Sequence, residues 1–242
     1  MKYLKSIIPF FIRKKIKLTL RFFQDVKNEQ AKRFAKNNKT VLKCSYLISS
    51  EAQSLITTPN PENKIRNIRI AAEKINELVI FPNEIFSFWK IIGAPTEKNG
   101  YVKGRNLMNG KLATSIGGGL CQLSSLLYFL AIKSNLNIIE RHNHSVDIYE
   151  EENRFTPLGA DAAVFYGYKD LRFSNPYSFP IRISLCIEFD AIIGYFFATE
   201  KIENQEIVFE RIELSKQRIV RTFRCFDNEK KEISISKYDI LS

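Results

Sequence analysis

The 242 residues are 45% hydrophobic and 12% aromatic, a composition that supports a substantial core and excludes an intrinsically disordered chain. The net charge of +11 sits at one end: residues 1–40 hold twelve Lys or Arg against two acids, while the other 202 hold 25 basic and 24 acidic side chains. A near-neutral body is not the electrostatic footprint of a nucleic-acid binder, and no nucleic-acid partner is expected.

The chain opens "MKYLKSIIPFFIRKKIKLTLRFFQDV". Its apolar core from Ile7 to Ile12 is short, is interrupted by Pro9, and runs into "RKKIK" where a signal peptide would carry small residues. Neither a signal peptide nor the ~20-residue apolar run of a membrane span is recognised. The expected location is therefore cytoplasmic, with a peripheral place at the inner face of the membrane as a variant. Ile8, Ile12, Ile16, Leu20 and Phe23 recur at three- and four-residue spacing, with Arg13, Lys14, Lys17 and Arg21 between them. That pattern predicts a basic amphipathic helix within a segment 1–40. Two readings stand: the helix lies on an anionic membrane surface, or its apolar stripe packs on the body while its lysines face solvent.

"AKNNKT" reads as a link, and "VLKCSYLI" (41–48) as a strand. Ile65, Ile68, Ala72, Ile75 and Leu78 predict a helix over 64–78. "IFSFWKIIG" (85–93) reads as an aromatic strand, and "GAPTEKNGYVKG" (93–104) as a long loop. A helix is predicted over 121–133. Beyond it "LNIIER", "SVDIYE", "DAAVFYGY", "DLRFSN", "IRISLCIEF" and "IIGYFFA" read as successive strands, and "QRIVRTFRCFDNEKKEISI" as a hairpin around Asp227-Asn228. Strands in succession without helices between them imply antiparallel pairing. The expected fold is α+β: an antiparallel sheet with a few packed helices over 41–242, preceded by the basic helical segment.

Three of the ten glycines stand together in "SIGGGLCQLSS", directly before Cys121. Free N–H groups at a helix start carry partial positive charge, which lowers a thiol pKa and can stabilise an oxyanion. Gly117, Gly118 and Gly119 keep side chains out of the approach to Cys121, and with Gln122, Ser124 and Arg141 they form the expected substrate-binding set. The chain's two histidines, His142 and His144, follow in "ERHNHSVDIY"; on a strand they would share one face, and either could take the thiol proton. Asp161 could orient the imidazole. Cysteine, histidine, then acid is the order of transglutaminase-like and papain-like folds, an arrangement expected here, and the analogy favours His144 as base. No cofactor and no metal are expected; a zinc site of Cys121, His142 and His144 is the weaker alternative. The four cysteines, scattered without a CxxC pair, suit free thiols in a reducing compartment.

"FSFWKIIG", "NGKLATSIGGGLCQLSSLLYFLA", "NIIERHNHSVDIYE" and "TPLGADAAVFYGYKDLRFSNPYSFPIRI" together resemble the VanW family, whose founding protein accompanies type-B vancomycin resistance. The resemblance runs from about 41 to 201, leaving 202–242 as a C-terminal hairpin extension. It implies a tie to peptidoglycan or glycopeptide resistance. It also implies an L,D-transpeptidase-like, cysteine-dependent acyl transfer on a wall stem peptide or precursor, with Cys121 as nucleophile. A non-catalytic protein that binds such a precursor is the alternative, so whether this is an enzyme stays open at this point.

Overall fold

The computed structural model describes residues 9–36, 42–56, 61–108, 111–147, 154–203, 205–227 and 229–240. Among them are four α-helices and twelve strands, with every strand pair antiparallel. The fold is α+β with antiparallel sheets.

Helix α1 (Phe10–Lys27) comes first. Strand β1 (Tyr46–Ser54) starts later than the strand expected over 41–48, whose first residue lies outside the described set. Helix α2 (Glu62–Ile75) follows within three residues of its predicted bounds and buries Ile68, Ala71, Ala72 and Ile75. After β2 (Val79–Ile80), the segment read as one strand over 85–93 divides into β3 (Ile85–Ser87) and helix α3 (Phe88–Ile92). The cause is local chemistry: the Ser87 hydroxyl accepts from the Lys90 amide and caps the helix, and Gly93 ends it. The expected loop over 93–104 holds a 3₁₀ turn (Glu97–Asn99) and the start of β4 (Lys103–Met108), which pairs with β5 (Lys111–Ile116).

Helix α4 (Leu120–Lys133) is the centre of the core. Every residue from Leu120 to Ile132 except Cys121 is buried, as a helix apolar on all sides requires. It lies across the sheet β1-β9-β8-β2, formed with β8 (Ile181–Glu188) and β9 (Ala191–Ala198). Gly194 on β9 permits this closeness: a Cβ there would sit 2.7 Å from Leu130 Cδ1. A second sheet, β3-β7-β6, adds β6 (Asn137–Glu140) and β7 (Arg172–Ser174). The C-terminal hairpin is present as β11 (Gln217–Phe226) and β12 (Glu229–Asp239), joined by β10 (Glu206–Glu213) into a third sheet. Asn228 of its turn lies outside the described residues.

Two expected strands are not strands. Of "SVDIYE", residues 148–150 lie outside the described set, and Val146 makes only an isolated bridge to Asp239. "DAAVFYGY" is irregular apart from a bridge between Phe165 and Lys169. Its amides are taken by partners outside a ladder: Ala162 donates to Ser125 Oγ, Ala163 to the His142 carbonyl and Val164 to Cys121 Sγ. Alternation of apolar residues cannot distinguish such a segment from a strand.

Candidate functional site

The glycine triplet forms the turn that delivers the chain into α4. A Cβ on Gly118 would lie 2.1 Å from the Gly104 carbonyl oxygen on β4. Gly119 takes φ +99°, and its Cβ would meet Lys64 Cγ of α2 at 2.5 Å. The glycines thus let β4 and α2 close directly on the turn before Cys121, and Asn67 of α2 locks it by donating to the Gly118 carbonyl at 2.9 Å.

Cys121 is the second residue of α4 and keeps part of its surface open. The two serines one turn on set its neighbours. Ser124 Oγ donates to the Ala162 carbonyl at 2.6 Å, and Ser125 Oγ accepts from the Ala162 amide at 2.9 Å. Holding both backbone groups of one residue fixes segment 161–164 along the first turns of α4, so that Val164 meets Cys121 Sγ with its amide at 3.5 Å and its carbonyl at 3.6 Å. Gln122 is buried and donates to the Ser54 carbonyl.

The same clamp positions Asp161. Its Oδ2 accepts from His144 Nδ1 at 2.7 Å and from the His144 amide at 2.7 Å. Since a carboxylate only accepts, Nδ1 carries the proton in this contact. His144 also acts on the Cys121 thiol, by hydrogen bond and charge that favour its ionised form, so one imidazole bears on both the sulfur and the carboxylate. Burial works to raise the Cys121 pKa, but the His144 hydrogen bond and charge, with the Val164 amide, outweigh it and bring the thiol below its ordinary value. Burial works to lower the His144 pKa, but the bonds to Asp161 and Cys121 push it up to about 10. Burial would raise Asp161; His144 and Arg141 hold it well below the usual carboxylate range. Each of the three shifts favours the charged form of its group.

Arg141 side-chain exposure is 7%, and all its bonds go into this cluster: Nε to the Asp161 carbonyl at 2.7 Å, Nη2 to Asp161 Oδ1 at 2.9 Å and to the Gly159 carbonyl, and Nη1 to Ser236 Oγ. The structure separates the two histidines rather than setting them on one strand face. His142 Nε2 turns to Glu140 Oε1 at 3.1 Å, and Glu140 is also held by Arg21 of α1. Among the described residues no three His, Cys, Asp or Glu side chains are grouped to hold a metal ion.

Of two further contributors, one was not legible beforehand and the other only through its spacing. Tyr238 on β12 donates its hydroxyl to Asp161 Oδ1 and accepts from the Gly159 amide, 77 residues beyond the aspartate. Ser125 lies four residues after Cys121, and its helical spacing was the one available signal. A cavity beside His144 and Asp161 is lined also by Asp147, Arg154, Thr156 and Tyr238. Thr156 Oγ1 is buried there, with no hydrogen-bond partner among the described residues.

An α+β domain whose buried helix brings one cysteine against a histidine–aspartate pair defines the class of architecture. The family follows from comparison: a profile described as "VanW like protein" matches residues 63–197, more than half the chain, and the chain belongs to the VanW family. It is 36% identical over 156 residues to the Vancomycin B-type resistance protein VanW of Enterococcus faecalis (strain ATCC 700802 / V583), covering 62% of this chain and 57% of that one. It is 35% identical over 141 residues to the uncharacterized protein YoaR of Bacillus subtilis (strain 168), covering 57% of this chain and 45% of that one. The matches thus span about half the length of these relatives. No solved structure matches this fold significantly.

Proposed function

We propose that this protein is a cysteine-dependent acyl transferase that acts on a cell-wall peptide or its precursor, in the manner of an L,D-transpeptidase. The observation that carries the reading is the His144–Asp161 Oδ2 hydrogen bond at 2.7 Å beside a Cys121 thiol whose pKa His144 helps to lower. The Cys121 thiolate attacks a peptide carbonyl carbon, and the oxyanion forms beside the first turn of α4. The Cys121 amide there is one of the four helix-opening donors without an intrahelical partner. The carbon–nitrogen bond then breaks, His144 gives its proton to the departing amine, and a thioester remains. An acceptor amine attacks the thioester, His144 takes back a proton, and the carbon–sulfur bond breaks to restore the thiolate. Asp161, held by Arg141 and Tyr238, keeps the ring oriented through both steps.

The order cysteine near a helix start, then histidine, then aspartate supports a transglutaminase-like reading, although His144 and Asp161 here stand on irregular segments. The name of the enterococcal relative, which links it to vancomycin resistance, supports a wall peptide as substrate.

Incubation with synthetic stem peptides, followed by intact-protein mass spectrometry, tests the reading. The wild type is expected to gain one acyl adduct and to form product when an amine is supplied, and Cys121→Ala to do neither while keeping its circular dichroism spectrum. Turnover by Cys121→Ala would end the proposal. Peptide bound but recovered unchanged would favour a precursor-binding protein instead.

A further inference from the structure

Helix α1 docks the wrong way round for a core-facing amphipathic helix. Apart from Phe10 and Leu18, the side turned to the body is polar: Arg21 pairs with Glu140 at 2.5 Å, Asp25 with Arg172 at 2.5 Å, and Lys14 Nζ stands 4.7 Å from the Tyr166 ring centre. The opposite side carries Ile12, Ile16, Leu20 and Phe23, which keep 38–61% of their surface in solvent. The reading in which the apolar stripe packs on the body is therefore excluded by the structure.

A contiguous apolar strip of this kind on a globular surface marks an interaction site. Lys15, Lys17 and Lys27, all exposed, flank it on the same helix. Two copies joined along the strip would bring these like charges together, whereas an anionic headgroup layer complements them. We propose that the outward face of α1 is a docking surface for an anionic lipid bilayer, on which the helix lies in the plane of the interface. The N-terminal end of α1 packs on the segment that follows Val164. Phe10 stacks on Tyr168 at 6.3 Å and meets Phe165, the residue after Val164. The proposal does not rest on acyl transfer, since it draws only on the helix.

Co-sedimentation of the full chain with vesicles tests it. The protein is expected to pellet with phosphatidylcholine vesicles containing phosphatidylglycerol, less so with phosphatidylcholine alone, and to be released by salt. The double substitution Ile16→Ser with Phe23→Ser should lower partitioning by about tenfold or more, from the loss of two large apolar side chains. It should leave the melting temperature unchanged, because the body-facing ion pairs are intact. Wild-type protein that stays in the supernatant with anionic vesicles would overturn the proposal, as would a double variant that binds as well as wild type. A wild-type dimer in sedimentation equilibrium that the double variant abolishes would also overturn it, by assigning the face to a second copy.

Discussion

His144 and Asp161 are joined twice through one oxygen: Oδ2 accepts both the imidazole Nδ1 proton and the His144 backbone amide, each at 2.7 Å. Ring orientation and backbone position are thereby tied to the same carboxylate. The same imidazole helps to lower the pKa of the Cys121 thiol.

The Cys121 thiol should react with iodoacetamide along a pH profile whose midpoint lies below the ordinary cysteine value of about 8.5, since its pKa is lowered. In His144→Ala the hydrogen bond and positive charge are gone, and burial with the Asp161 charge is opposed only by the Val164 amide, so the midpoint should move above that value. A wild-type midpoint at or above the ordinary one would remove the ion pair from the account.

Tyr238→Phe removes the hydroxyl that donates to Asp161 and satisfies the Gly159 amide, both buried. A loss of about 1–3 kcal/mol in urea unfolding is expected. Alkylation of Cys121 should persist, since the His144 contacts to Asp161 Oδ2 remain. Unchanged stability would show that the C-terminal sheet does not support the site.

Arg141→Met leaves Asp161 with His144 as its one charged partner. The buried pair at 2.9 Å is broken, and a loss of about 3–5 kcal/mol is expected. A calorimetric melting shift near zero would contradict this.

Glu140 joins α1 to the body, and its pKa is lowered to about 2: burial raises it, while His142, Arg21 and the Asp170 amide more than compensate. A depressed carboxylate stabilises the fold above its unfolded pKa of about 4.3. That contribution is lost as the pH falls toward about 2. Wild type should exceed Glu140→Gln by about 1–2 kcal/mol at neutral pH, with solvent screening at this partly open site allowed for. The difference should shrink on acidification between these two values. A gap that is constant with pH would exclude the ionic origin.

Gly118→Ala places a methyl 2.1 Å from the Gly104 oxygen, a contact with backbone on both sides that no rotamer relieves. Destabilisation of about 3 kcal/mol or more is expected, at or beyond the usual range for overpacking, and lower soluble yield would accompany it. An alanine variant as stable as wild type would mean that β4 moves freely from the turn.

Helix α4 was legible because its signals are local: a glycine turn, then a run of apolar residues too long for a buried strand. The pairs β8–β9 and β11–β12 were legible for a similar reason, since alternation and a turn between neighbours suffice. Helix α3 was missed because a capping serine, Ser87, outweighed the strand propensity of an aromatic run. Segment 161–168 was misread because Ser125 and Cys121, far off in sequence, take its amides.

By itself the sequence determined which atoms could do chemistry here: one cysteine after three glycines, two histidines and an aspartate, because residue types and short spacings are local properties. Only the tertiary structure decided that His144 rather than His142 bonds Asp161, that Tyr238 and Arg141 hold Asp161, and that α1 turns its apolar side outward. Each of these depends on where a carboxylate from another part of the chain comes to rest, and packing alone sets that.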